Sequence, residues 1–178
     1  MKKVMLAAAV AVAGALGGAW AQEGPPKPGP EHKKVAFFAG TWNFRGEAKA
    51  SPMGPGGPMT FKETCEMFEG GFALVCRSEG KSPMGPTKSL SIMSYDVEKK
   101  TYTYTAAESN SPVFTALGQT ADGTWTWGTE SKMAGKMMKT KVTIKETGPT
   151  SYEFRMELAS DGGAFTPFVE GKATRVGT

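Results

Sequence analysis

The chain predicts an all-β protein, a single antiparallel up-and-down β-barrel of about ten strands. Three observations carry this. Past Gly40 the apolar residues recur at period two, the mark of strands with one buried face. The alternating runs follow each other at roughly 8–15-residue spacing with no long helical pattern between them. A five-residue word, Ser51-Pro52-Met53-Gly54-Pro55, returns unchanged as Ser82-Pro83-Met84-Gly85-Pro86, each copy between two strand-like runs. Two similar links are thereby expected at one end of a meander. A meander this long exposes two edges unless it closes, so a barrel is preferred to two facing sheets.

The elements follow in order. Lys2-Lys3, the apolar run from Val4 to Ala15 and the small-x-small site Ala19-Trp20-Ala21 read as a signal peptide over residues 1–21. The run is short for a membrane span, which needs about 20 residues. Export to the periplasm or beyond, with cleavage after Ala21, is therefore expected. Residues 22–30 are a Pro/Gly-rich tether, and residues 31–178 form the barrel domain. Glu31 to Phe38 is expected as a short helix whose Val35, Phe37 and Phe38 plug one end.

The strands come next. Trp42 and Phe44 alternate with Asn43 and Arg45. Phe61, Cys65 and Met67 share a face, then Phe72, Leu74 and Cys76, then Leu90 and Ile92. Tyr102 and Tyr104 follow, then Val113, Thr115 and Leu117, and then Trp125 and Trp127. Met138, Thr140, Val142 and Ile144 precede Tyr152, Phe154, Met156 and Leu158. A last strand runs from about Phe165 to Val176. Compact turns (69–71, 96–100, 121–123, 146–150) should close one end. Longer loops (51–58, 82–86, 109–112, 131–136, 160–163) should ring the other.

Charge excludes some functions. The formal charge is +4, but without Lys2 and Lys3 the remaining 19 Lys and Arg face 17 Asp and Glu, leaving +2. These charges are interspersed, so no nucleic-acid surface is expected. The one histidine, His32, cannot supply both a catalytic base and a metal site. No phosphate loop, metal motif or nucleophile–base set is present, so no cofactor, metal centre or catalytic residue is expected. Nothing in the sequence fixes the oligomeric state.

Candidate sites remain. Cys65 and Cys76 fall opposite each other across the turn at Gly70-Gly71. In an exported chain they are expected as a disulfide, with two buried thiols as the alternative. A two-residue turn would place them at a hydrogen-bonded pair, a four-residue turn at the closer kind. Trp42 and Arg175 are structural candidates, the guanidinium lying on the indole if the last strand closes on the first. Phe44, Phe61, Tyr102, Tyr104, Trp125, Trp127, Met138, Tyr152 and Phe154 are candidate cavity residues, with a packed core as the alternative. Met53, Met84, Met133 and Met137 are candidate mouth residues. Methionine there suits an adaptable apolar rim, Cu(I) ligation or plain loop chemistry. Glu63, in register with Cys65, either faces inward, where burial raises a carboxyl pKa, or stays wet at the rim.

The order of short motifs carries a resemblance. Phe38-Ala39-Gly40-Thr41-Trp42 after a short helix, with a terminal Thr174-Arg175, resembles the calycin superfamily of lipocalins and fatty-acid-binding proteins. Cys65-Glu66-Met67 with Gly70-Gly71, Tyr95-Asp96, Gly135-Lys136 and Tyr152-Glu153-Phe154-Arg155-Met156 narrow it. With these, residues 33–176 resemble a family of exported bacterial proteins catalogued as a domain of unknown function with calycin-like barrels. The resemblance implies a barrel and, by analogy, small-ligand binding. Haem-binding barrels of this kind need a wall histidine, and His32 precedes the first strand, so haem is not expected. The expected function is a carrier for a small lipophilic or amphipathic molecule, entering between the Met-bearing loops. The alternative is an envelope interaction protein with a packed barrel and a Met-rich contact rim.

Overall fold

The computed structural model describes residues 26–177, apart from Pro52, Met53, Ala134 and Asp161. The expected signal peptide and the start of the tether lie outside the described residues. A short helix α1 (Pro30–Lys34) runs into a 3-10 turn, Val35–Phe38. Pro30 opens the helix rather than ending the tether, since a first-turn residue needs no N–H.

Ten antiparallel strands follow: β1 (Gly40–Ala48), β2 (Gly57–Met67), β3 (Ala73–Ser82), β4 (Gly85–Asp96), β5 (Thr101–Glu108), β6 (Ser111–Ala121), β7 (Thr124–Met133), β8 (Lys136–Gly148), β9 (Ser151–Ser160) and β10 (Thr166–Arg175). Each pairs with its sequence neighbours, and β10 returns to β1, closing the barrel. Trp42 stands opposite Arg175 across that closure.

The helical segment occupies the end where β1 begins. Gly54 and Met84, one from each copy of the repeated word, stand together at the other end. A side chain on Gly54 would come within 3.3 Å of Met84, and one on Gly57 within 3.4 Å of Pro83. The links there are tighter than expected. Strand pairing runs so far that only residues 83–84, 109–110 and 134–135 remain between β3 and β4, β5 and β6, and β7 and β8. Glycines at 85 and 135, with φ of 108° and 82°, permit these turns.

Two strands show their apolar set outward, contrary to the simplest reading of alternation. Leu90 and Ile92 on β4, and Val113 and Leu117 on β6, are exposed. Ser91, Ala116 and Gly118 face inward instead. The cause is space. The Trp127 ring lies on Gly118, where an added Cβ would approach to 2.4 Å. Phe44 lies likewise over Gly46 and Gly171, and Phe61 over Gly80. Large rings on one strand demand small residues on the next.

Cys65 and Cys76 form a disulfide with their Cα atoms 4.1 Å apart. Phe68 N–H bonds to the Ala73 carbonyl, which leaves a four-residue turn over 69–72 and sets the pair in the closer register. The Cys65→Ala/Cys76→Ala variant should lose on the order of 2–3 kcal/mol of unfolding free energy, as for other short closed loops. Urea titration checks this, and an unchanged midpoint would show that the bridge adds no stability.

Candidate functional site

The barrel interior has a filled floor and a less filled upper half. The floor is built on Trp42, 1% exposed. Its Nε1–H donates to the Phe38 carbonyl at 2.8 Å. The Arg175 guanidinium lies 4.4 Å from the indole centroid and donates to the carbonyls of Ala39 and Phe37. One arginine thus ties the last strand, the first strand and the plug together. Trp42 also packs on Tyr152, and Trp125 on Tyr102 and Phe38, with ring centroids 4.9–5.3 Å apart. The Tyr102 hydroxyl donates to the Glu31 carboxylate, and Trp125 Nε1–H to Glu146 at 2.8 Å. Burial foremost, then Glu31, pushes the Tyr102 phenol pKa up. His32 is buried edge-on to Phe72 and Tyr95, its Nδ1 accepting from the Gly29 N–H.

Tyr102, Trp125 and Trp127 were expected among the cavity residues. They fill the floor instead, because the helical plug drives Val35 and Phe38 into their midst. Tyr152 sits at the upper boundary of that packed layer.

Above it, Phe44, Phe61, Tyr104, Met138 and Phe154 are on inward-facing positions yet keep exposed surface. That surface faces the interior, the mouth or the seam between β6 and β7. Phe44 meets Phe61 and Phe154 at centroid separations of 6.2 and 5.5 Å. These rings line the upper half of the interior, which is less completely buried than the floor.

Glu63 shares that space. It stands between Trp42 on β1 and Ser78 on β3. Its carboxylate lies within 4.8 Å of both disulfide sulfurs. Burial pushes its pKa up to about 7. Its charge in turn raises the phenol pKa values of Tyr104 and Tyr152, that of Tyr104 to about 12, in both cases after the larger effect of burial. Tyr104 is hydrogen-bonded to Ser91, and the hydroxyls of Ser78 and Ser89 meet at 2.7 Å. Five strands therefore bring a carboxyl group, two phenols and three serine hydroxyls to the inner wall. Glu63, Cys65 and Cys76 are close enough to share a metal ion, but the sulfurs are bonded to each other and are not free ligands.

At the mouth, Met84 and Met137 are exposed. Met53 and the side chain of Met133 lie outside the described residues. A second opening interrupts the wall. Strands β6 and β7 pair only from Leu117–Gly128 to Ala121–Thr124. Nearer the mouth they part, and the Thr129 hydroxyl reaches across to the Thr115 carbonyl at 3.2 Å. Pro112, which has no N–H to give, sits on this stretch of β6. An outer groove of about 690 Å³ follows the seam, bordered by Leu117, Trp127, Lys141 and Phe165.

A family model described as a protein of unknown function, DUF1579, matches residues 27–175. The chain belongs to the DUF1579 family. No curated protein matches this DUF1579 chain in sequence. Its fold is similar to the crystal structure of Rv2717c from M. tuberculosis, at 10% identity and a TM-score of 0.59, covering 84% of this chain and 99% of that one. It is also similar to the S-type phycobiliprotein lyase CPES from Guillardia theta, at 10% identity and a TM-score of 0.51, covering 83% and 93%. Both likenesses are of fold. No helix among the described residues is long and apolar enough to cross a membrane.

Sequence reading of this DUF1579 chain missed the serines. The signal was present in Ser89-Leu90-Ser91, where serines alternate with apolar residues, but apolar residues draw the inward assignment by default. The β6–β7 seam was signalled only by Pro112.

Proposed function

We propose that this DUF1579 protein is an exported carrier that holds a small amphipathic molecule in the upper half of its barrel. One observation carries the reading: Phe44, Phe61, Tyr104 and Phe154 stand on inward positions yet keep accessible surface, above a floor sealed by Trp42 and Arg175. Barrels of about eight or more strands can enclose a small ligand in this manner. The basic, apolar N-terminal segment supports export to the periplasm or the medium. The Met84 end supports entry at the mouth, since thioethers repack around varied shapes.

Native mass spectrometry of protein purified from its producing cells tests the reading. A bound mass that leaves on denaturation is expected. A bare chain that also shows no change in tryptophan emission across a panel of lipophilic compounds would count against it.

A second reading draws on the outward Leu90, Ile92, Val113 and Leu117. They make the β4–β6 wall, rather than the Met rim, the better contact surface for an envelope partner.

A further inference from the structure

We infer that the ligand of the upper barrel carries a protonated amine at one end of an apolar body, with Glu63 as the residue that receives it. The inference rests on that space being the ligand site, and adds the chemical class of the ligand.

The distribution of charge carries it. Among the described residues the inner wall around Glu63 bears carboxyl groups and no lysine. Glu63 faces inward from β2, and Glu108 from the mouth end of β5, where it accepts a hydrogen bond from Ser111. The charge of Glu108 also reaches Tyr104, which places it on the same side of the wall. The strand lysines and arginines point outward, as the exposed Lys62, Arg77, Lys88 and Lys172 show beside their inward neighbours. The exceptions are Arg175, held at the floor by Trp42 and two carbonyls, and Lys136, on the parity of Met138 at the mouth end of β8.

A fatty-acid anion beside Glu63 would therefore meet acids and no lysine. Burying an unpaired charge is costly, and a like-charge neighbour adds to the cost. A cation meets the opposite situation. Glu63 has no hydrogen-bond partner among the described residues, yet its oxygens are not sealed off. Two of its neighbours are aromatic, Trp42 alongside and Phe61 two residues away on the same face. A carboxylate beside aromatic faces suits an ammonium group, which gains an ion pair and cation–π contact together. Tyr104 and Tyr152, with hydroxyls near the same carboxyl, can accept further N–H bonds. The half-buried Phe44, Phe154 and Met138 lie on inward positions above, where an apolar body would rest.

The groups facing Glu63 do not titrate near neutrality in its place. They are the raised phenols of Tyr104 and Tyr152, the hydroxyls of Ser78 and Ser91, the indole of Trp42 and the disulfide. Below neutral pH Glu63 holds its proton. Receiving an ammonium group then releases that proton.

The experiment is calorimetric titration of the protein with dodecylamine, dodecanol and dodecanoate, each below its micelle concentration. Dodecylamine should bind about tenfold or more tightly than dodecanoate, the gain of one charge-assisted contact. At pH 6, repeating the titration in buffers of different ionisation enthalpy should show a proton released per amine bound. Glu63→Gln should abolish that release and bring dodecylamine affinity down to that of dodecanol for the same variant. Equal binding of all three probes, or a preference that survives Glu63→Gln, would overturn the amine assignment while leaving a lumenal ligand site standing. Binding of none of them would overturn both.

Discussion

Replacing Trp42 with alanine is expected to lower the unfolding free energy by about 3–5 kcal/mol, as for other buried tryptophans. The indole is 1% exposed and holds three things at once: the Phe38 carbonyl, the Arg175 guanidinium and the Tyr152 ring. Its removal leaves a void under the barrel and strands a buried carbonyl. The plug cannot fall into the gap, because α1 is tied separately through Glu31 to Tyr102. Phe61→Ala provides the contrast. Phe61 is only half-buried, so its removal should cost clearly less, toward the lower end of the range for large-to-small changes. Urea unfolding of both variants checks the pair. Equal losses would mean that the interior is uniformly packed.

Glu63→Gln should stabilise the protein at neutral and alkaline pH and change little in acid. The sign follows from the direction of the shift. In the unfolded chain Glu63 ionises near its ordinary 4.5, whereas in the barrel burial pushes it up to about 7. The folded state therefore favours the protonated form. That favourable contribution is complete below about 4.5 and is lost as pH rises to about 7. Glutamine cannot ionise and escapes the loss. The variant should gain on the native chain across this window, with the difference constant above about pH 8. The gain is at most on the order of 3 kcal/mol, and less where the interior holds water. Thermal unfolding from pH 4.5 to 8.5 checks it. A difference that does not change with pH would mean that Glu63 is solvated.

The barrel could be read from the chain because strands write period two into sequence. Trp42 and Phe44, or Tyr152 and Phe154, identify their inward face by size alone. Closure could be read because one aromatic near the start and one arginine near the end have a physical reason to meet. The turn at 69–72 was ambiguous, since Gly70-Gly71 suits either length. Only the Phe68–Ala73 hydrogen bond settles it. Alternation failed on β4 and β6, where both faces carry plausible residues. There the choice is made by rings on neighbouring strands, such as Trp127 over Gly118, and no local pattern records that. The division between floor and upper half was hidden for a similar reason. Trp125 and Phe154 look alike along their strands. They differ in whether Phe38 reaches them, and that depends on how far the plug enters.

Glu63 was identifiable as an inward candidate by parity with Cys65. Its company was not, because Ser78, Ser91, Tyr104 and Tyr152 come from four other strands. Register across the closed sheet, rather than any motif, assembles them.

The most direct measurement is a crystal structure of the protein with dodecylamine bound. The amine nitrogen is expected within hydrogen-bonding distance of the Glu63 carboxylate, with the chain running past Phe44 and Phe154 toward Met84. Density for the molecule in the outer groove beside Leu117 and Phe165, with the barrel interior closed by side chains, would contradict it.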